Sequence, residues 1–66
     1  MQGATVRKIR HLHGLTQQEA AELLGVSRAA VQQIETERLA MSDRLRQRFR
    51  EVFDVDDEML AFLERF

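Results

Sequence analysis

The chain has 66 residues, no cysteine and a formal net charge of −1. A chain this short forms one domain, residues 1–66, with a small core, and without cysteine it holds neither a disulfide nor a thiolate metal site. It contains no apolar run near the length of a membrane span and no signal-peptide segment, so we expect a protein of the reducing cytoplasm.

The charges are unevenly distributed along the chain. Residues 1–50 carry nine Lys and Arg against five Asp and Glu, a net charge of +4. Residues 51–66 carry one Arg against six Asp and Glu, a net charge of −5. Phosphate repels an acidic segment, so any surface for nucleic acid would lie in the first 50 residues, with the carboxyl-terminal segment facing away from it.

The first predicted helix covers about residues 5 to 13. Thr5 is a candidate N-cap, and Gly14 is a good helix stop. The inward positions are predicted to be Val6, Ile9 and either Leu12 or His13. His11 and His13 point to opposite sides of this helix, and the chain has no Cys or further His, so we predict no metal site.

The second predicted helix begins at Gln17 after a capping box. The hydroxyl of Thr16 can cap it, while Glu19, three residues on, reaches back to the Thr16 amide. An apolar stripe at helical spacing follows and comprises Ala20, Leu23 and Leu24. The small residue Ala21 lies beside this stripe. Gly25 most easily takes the left-handed conformation that ends a helix, so the chain is expected to turn there.

The third predicted helix starts only two residues later. Val26 is apolar and is predicted to point inward from the turn, and Ser27 is the cap of the new helix. Two helices joined this tightly cross steeply, which is the geometry of a helix-turn-helix. Val31 and Ile34, with Ala30 beside them, form the inward face. The outward residues are Arg28, Ala29, Gln32 and Gln33, and they include the guanidinium and carboxamide groups that pair with guanine and adenine edges in the major groove.

These residues resemble the Cro and lambda-repressor-like helix-turn-helix proteins, also called the xenobiotic-response-element (XRE) family. The resemblance rests on Thr16-Gln17, Ala21, Gly25-Val26-Ser27, Val31, Ile34 and Glu35, and it extends to Val6, Ile9, Arg10 and Gly14-Leu15 upstream and Phe53-Asp54-Val55 downstream. It implies an all-α, compact five-helix DNA-binding domain, with the helix-turn-helix core at residues 16–36 and no cofactor. Asp54 stands where the family commonly has glycine.

The resemblance also assigns roles to individual residues. Arg10 and Glu35 match two family positions that form a partly buried ion pair between the first helix and the reading helix. Gln17 matches a position that hydrogen-bonds a DNA phosphate. Gln18, which follows it and could also reach the groove, and Ser27, the cap of the third helix, are further candidates for contacts to the DNA backbone.

The loop of residues 36–41 leads to a fourth predicted helix capped by Ser42. Its inward face is predicted to comprise Leu45, Phe49, Val52 and Phe53. We expect Arg46 and Arg50 to be solvated. The family places this loop and the following helix start against the DNA backbone, so Arg38, Ser42 and Arg44 are candidate phosphate contacts.

A last helix is predicted over residues 57–66, capped by Asp56 or Asp57. Its stripe consists of Met59, Phe62, Leu63 and Phe66 at helical spacing. Part of the stripe is expected to close the core, and Phe62, Leu63 and Phe66 suit a self-complementary dimer interface. The alternative is that the whole stripe belongs to the core of one domain.

The sequence thus favours a non-enzymatic, bacterial or phage-encoded transcription regulator, acting as a repressor. It would bind double-stranded DNA at a near-palindromic operator as a homodimer, since no catalytic motif competes with this interpretation. The alternative is a protein-interaction module, such as an antitoxin or the target of an antirepressor, that binds a toxin or antirepressor protein through its apolar last helix. Specific DNA binding without another protein separates the two.

Overall fold

Five short α-helices make up residues 1–65, the part of the chain that this computed structural model describes. They are α1 (Gly3–Leu12), α2 (Gln17–Leu24), α3 (Arg28–Glu35), α4 (Asp43–Val52) and α5 (Asp57–Glu64). No strand occurs within that part, so the all-α prediction with five helices is confirmed. None of these helices is long and apolar enough to cross a membrane.

Four of the five helices begin at a side-chain cap. The capping oxygens of Thr16, Ser27, Ser42 and Asp56 each accept a hydrogen bond from the backbone N–H three residues later, at 3.1, 3.0, 3.1 and 2.8 Å. These bonds satisfy one of the orphan donors at each helix start, which explains why the helices begin where they do. The predicted caps of α2, α3 and α4 are confirmed, and of the two candidates for α5 the cap is Asp56.

The first helix begins differently, and its predicted bounds and cap are wrong. It runs from Gly3 to Leu12, and Thr5 is a buried residue of its first turn rather than its cap. The backbone N–H of Gly3 donates instead to the carboxylate of Glu37, in the loop after α3. A distant acidic side chain therefore supplies the cap that the local sequence lacks.

The close approach of α1 to α3 requires a glycine. A Cβ atom on Gly3 would lie 2.5 Å from the carbonyl oxygen of Ile34 and 2.7 Å from that of Glu35. Both are backbone atoms, so a larger residue could be accommodated only by moving one helix against the other. Gly3 thus allows the amino end of α1 to contact the carboxyl end of the reading helix.

The core is small and draws on all parts of the fold. Its buried hydrophobic cluster comprises Val6, Ile9, Ala20, Leu24, Ile34, Phe49, Phe53 and Val55, with Leu15, Val26, Met41, Leu45, Met59, Leu60 and Leu63 packed against it. The inward placement of Val26 is confirmed. Phe53 and Val55 reach this core because Asp54 between them adopts a left-handed conformation, with φ of 52°.

Three predicted core positions are not buried. Leu23 is 47% exposed and Val52 lies at the exposed end of α4. Leu12 is 65% exposed, and His13, the other candidate, is also exposed, although its ring packs against Phe53 with the centroids 5.0 Å apart. Among residues 1–65, α2 buries three residues and α4 one, and the flanks of the predicted stripes on these short helices remain exposed.

Two arginine side chains of α4 donate hydrogen bonds to backbone carbonyls outside the helix. Arg48 donates from Nε to the carbonyl of Leu24 at 3.0 Å and from Nη2 to that of Leu23 at 3.3 Å, which caps the end of α2. Arg50 donates to the carbonyl of Val55 and forms an ion pair with Asp57 at 2.6 Å. The prediction that Arg50 is merely solvated is therefore wrong, whereas Arg46 is exposed and, within residues 1–65, pairs only with its helix neighbour Asp43.

Candidate nucleic-acid interface

Local hydrogen bonds define the turn between α2 and α3. Glu19 Oε1 accepts from the backbone N–H of Thr16 at 2.9 Å, which completes the predicted capping box at the start of α2. The same backbone bond, together with the Thr16 hydroxyl, lowers the pKa of Glu19. At the other end Gly25 is left-handed, with φ of 74°, as predicted. The backbone N–H of Val26 then donates to the carbonyl of Ala21 at 3.0 Å, which closes the end of α2 and turns the chain toward α3.

The outward face of α3 is polar and available. Val31 and Ile34 are buried, whereas four residues are exposed: Arg28, Ala29, Gln32 and Gln33. Within residues 1–65, the side chains of the arginine and the two glutamines among them form no hydrogen bond or ion pair. Their donors and acceptors are thus free for a ligand, while the buried face fixes the helix that carries them.

The Arg10 side chain ties α1 to the end of α3. Its Nε lies 2.7 Å from Glu35 Oε2 and its Nη2 lies 3.0 Å from Glu35 Oε1, a bidentate ion pair. The two side chains are only 10% and 3% exposed. Arg10 Nη1 also donates to the carbonyl of Leu15 at 2.9 Å, so a single guanidinium joins α1, the following loop and α3.

The ion pair sets the ionisation of both partners. Burial alone would raise the pKa of Glu35, but hydrogen bonds from Arg10 and Gln17, with the nearby charges of Arg10 and Arg7, hold it below its ordinary value. The hydrogen bond to Glu35 raises the pKa of Arg10. Both groups are therefore charged at neutral pH, and neither is left without a partner in the low-dielectric interior.

Gln17 lies at the start of α2 and joins this network. Its Nε2 donates to Glu35 Oε1 at 3.3 Å, and the side chain is half-buried. One of its two amide hydrogens is thereby engaged, and the other remains for an external acceptor such as phosphate. The orientation of this candidate phosphate ligand depends on the same carboxylate that fixes α3.

The other candidate backbone contacts are exposed residues around α2, α3 and α4. They are Gln18, Ser27, Arg38, Ser42 and Arg44. Gln18 donates to Glu22 at 3.1 Å, and the two serine hydroxyls accept their capping bonds. A hydroxyl that accepts still has a hydrogen to donate, so capping does not remove these serines as phosphate ligands.

Sequence reasoning missed two contacts that position this surface. Arg48 holds the end of α2 just before the turn, and Glu37 joins the loop after α3 to Gly3. Glu37 itself is left-handed, with φ of 64°. No local pattern indicates either contact, because each joins residues 24 or more positions apart.

The predicted dimer residues lie on α5. Phe62 is 58% exposed, whereas Leu63 is half-buried and packs partly against the core. Phe66, the third predicted residue, lies outside the described part of the chain. Among residues 1–65, no group of three or more His, Asp and Glu side chains is placed to hold a metal ion.

Comparison with known proteins agrees with this geometry. A family model described as helix-turn-helix matches residues 6–60, from the first turn of α1 into α5. No curated protein and no solved structure matches the chain. The match includes the turn at Gly25, both partners of the Arg10–Glu35 ion pair and the whole outward face of α3.

Proposed function

Because the chain belongs to the Cro and lambda-repressor-like (XRE) family of helix-turn-helix DNA-binding regulators, we propose that it is a repressor that binds a near-palindromic operator as a dimer. In this proposal α3 lies in the major groove and reads base edges. The backbone of the DNA is held by the amino ends of α2 and α4 and by the loop between α3 and α4.

The observation that carries this proposal is the outward face of α3. Arg28 presents a guanidinium for the two acceptors of guanine, and Gln33 presents a carboxamide for adenine, with Gln32 beside it. Ala29 is small enough to lie against a thymine methyl group. An exposed helix without a ligand would more commonly carry Glu and Lys at such positions, whereas this face carries no acid and no lysine.

Contacts to the DNA backbone would come from the residues around this face. Gln17 and Gln18 start α2, Ser27 starts α3, and Ser42 and Arg44 start α4, where backbone N–H groups and the positive end of the helix dipole favour phosphate. Arg38 adds a charge from the loop. Because these contacts carry no sequence information, they would set the affinity for DNA and the position of the protein on the duplex rather than a preference for one base sequence.

A dimer follows from the small number of reading residues. Four outward side chains cover too few base pairs for high affinity, and a two-fold pair would place its reading helices in successive major grooves about 34–36 Å apart. We assign the interface to α5, through Phe62, Leu63 and Phe66. The exposed Phe62 supports this assignment.

The alternative is a protein-interaction module that uses the same apolar surface for a toxin or an antirepressor. The exposure of Phe62 and of Leu12 on α1 favours this alternative as much as it favours the dimer. It differs from the main proposal in its dependence on another protein, because an interaction module would need no operator of its own.

Selection of bound sites from random duplex DNA, with the purified chain alone, tests the proposal. We expect enrichment of one near-palindromic sequence whose half-site centres are about 10–10.5 base pairs apart. Retention of DNA without any enriched sequence would contradict specific reading and favour the alternative.

A further inference from the structure

A groove between α1 and α5 is not used by the reading surface. It encloses about 620 Å³ and is lined by Ala4, Arg7, Lys8, His11, Leu12, Glu35 and Leu63. Leu12 is among the most exposed hydrophobic residues of the described chain. Ala4, Leu12 and Leu63 therefore give the groove an apolar surface, part of which is open to solvent.

The edge of this groove is basic. Arg7 is exposed and forms no ion pair within residues 1–65, and His11 lies one turn further along α1. Lys8 donates from Nζ to the carbonyl of Leu63 at 3.2 Å, which fixes α5 beside α1. Among residues 1–65, the one acid in the lining is Glu35, which is almost fully buried and paired with Arg10, so Arg7 and Lys8 leave the lining with a net positive charge.

The acidic end of the same chain has the complementary chemistry. Residues 51–66 carry a net charge of −5, and α5 exposes Phe62. Glu58 precedes Phe62 by four residues, so the carboxylate and the aromatic ring lie on the same face of the helix. One face of α5 thus offers an apolar group for the floor of the groove and an acid for its edge.

We propose that the α1–α5 groove receives α5 of a second copy of this chain, with the two copies related by a two-fold axis. Phe62 of each copy packs against Leu12 in the groove of the other, and Glu58 of each faces Arg7. The exchange is reciprocal, so the contact closes as a dimer rather than extending into a fibre. This inference rests on the dimer of the proposed function and names the surface that α5 contacts.

The charges across this contact are complementary. Two α5 helices packed only against each other would bring two acidic segments together, which costs free energy. One wall of the groove is α5 of its own copy, through Leu63, but α1 supplies Arg7 and Lys8 to the same lining. Glu58 opposite Arg7 thus places opposite charges across the interface, which favours association and fixes its register.

Charge reversal at the two sides of the contact tests the inference. Arg7→Glu and Glu58→Lys each place like charges across both halves of the two-fold interface, so each variant alone should dimerise about tenfold more weakly, or worse, in sedimentation equilibrium. An equimolar mixture of the two variants should recover dimers of wild-type stability, because both contacts of the mixed pair are again between opposite charges. The double variant Arg7→Glu/Glu58→Lys should recover as well.

Glu64→Lys is the matched control. It makes the same charge change on the same helix, but at a position roughly opposite Phe62 around the helix, so it should leave dimerisation unchanged. Circular dichroism checks that each variant is folded, and recovery in the mixture shows that a weakened variant has kept its fold.

The outcomes separate this inference from the proposed function. Single variants that dimerise like the wild type, a mixture that does not recover, or a wild-type chain that stays monomeric would each overturn the groove contact. If the wild type still selects a near-palindromic site in those cases, the proposed function stands and the dimer forms through another surface. A wild type that dimerises as described but selects no site would retain the groove contact and overturn the proposed function.

Discussion

The turn between α2 and α3 and the attachment of α1 are held by different kinds of bonds. The turn depends on contacts between residues three to five positions apart, such as Thr16 with Glu19 and Val26 with Ala21. The attachment of α1 depends on contacts across 25 to 55 positions, from Arg10 to Glu35 and from Lys8 to Leu63. The short-range bonds set the angle of the reading helix, and the long-range bonds set its place in the domain.

This difference indicates where the fold is vulnerable. The helices of the motif have several local caps, and each contributes about 1 kcal/mol to stability, so the loss of one leaves the motif largely intact. The polar contacts of α1 are few and partly buried, and a domain of this size has only a few kcal/mol of net stability. Single changes at α1 should therefore destabilise the chain more than changes at the turn.

Loss of one partner of the Arg10–Glu35 pair should have the largest effect. Arg10→Ala or Glu35→Ala leaves an unpaired charge in a nearly buried site and should lower the free energy of unfolding by about 3–5 kcal/mol, measured by urea denaturation. The control is the exposed pair of Arg46 and Asp43, whose truncation should cost at most about 1 kcal/mol. Strictly additive single and double variants at Arg10 and Glu35 would contradict a coupled pair.

Gly3→Ala should have the next largest effect on stability, and the direction of that effect is informative. Alanine is the better helix former by about 1 kcal/mol, so propensity alone predicts stabilisation. Because the added Cβ would meet the backbone oxygens of Ile34 and Glu35, we expect destabilisation by about 1–3 kcal/mol instead. A thermal melting temperature that rises in the variant would show that α1 does not need this close approach to α3.

Arg48→Ala should have a smaller effect on stability. Its two bonds to the last carbonyls of α2 lie near the surface, so their removal should cost about 1–2 kcal/mol. Arg46→Ala, on the same helix and without such bonds, should change stability by less than about 0.5 kcal/mol. Equal effects of the two substitutions in chemical denaturation would mean that Arg48 contributes only its charge.

The pH dependence of stability should show a further, smaller effect of Glu35. Its pKa is lower in the folded chain than the ordinary value of 4.5, so its contribution is complete above that value and is lost as the pH falls through the depressed pKa. The loss of stability between pH 7 and pH 3 should therefore be smaller in Glu35→Gln than in the wild type. Glu64→Gln, at an exposed position, should retain the wild-type difference; an unchanged difference in Glu35→Gln would exclude this contribution.

The same distinction between local and distant bonds explains what the sequence could predict. Gly25 and the caps Thr16, Ser27 and Ser42 act on their immediate neighbours, so residue type and spacing were enough to locate α2, α3 and the start of α4. The alternation of Val31 and Ile34 with outward polar residues likewise indicated the exposed face of α3, because helical periodicity is a local property.

The errors lie where the folded chain supplies a contact that residue type and spacing do not indicate. Thr5 looked like a helix cap, but Glu37 supplies the cap of α1 two residues earlier, at Gly3. Arg50 looked solvated, but the left-handed turn at Asp54 brings the carbonyl of Val55 within its reach. Such contacts exist only after the helices have packed, so periodicity and propensity do not indicate them.

The most direct test of the account concerns the reading face of α3. Binding of Arg28→Ala, Gln33→Ala and Gln17→Ala should be measured on the selected operator and on random duplex at several salt concentrations. We expect the two α3 substitutions each to cost about 1–3 kcal/mol on the operator and little on random DNA, whereas Gln17→Ala should weaken binding to both alike. Equal losses on operator and random DNA for Arg28→Ala and Gln33→Ala would show that α3 contacts phosphate only, and would contradict base reading by this helix.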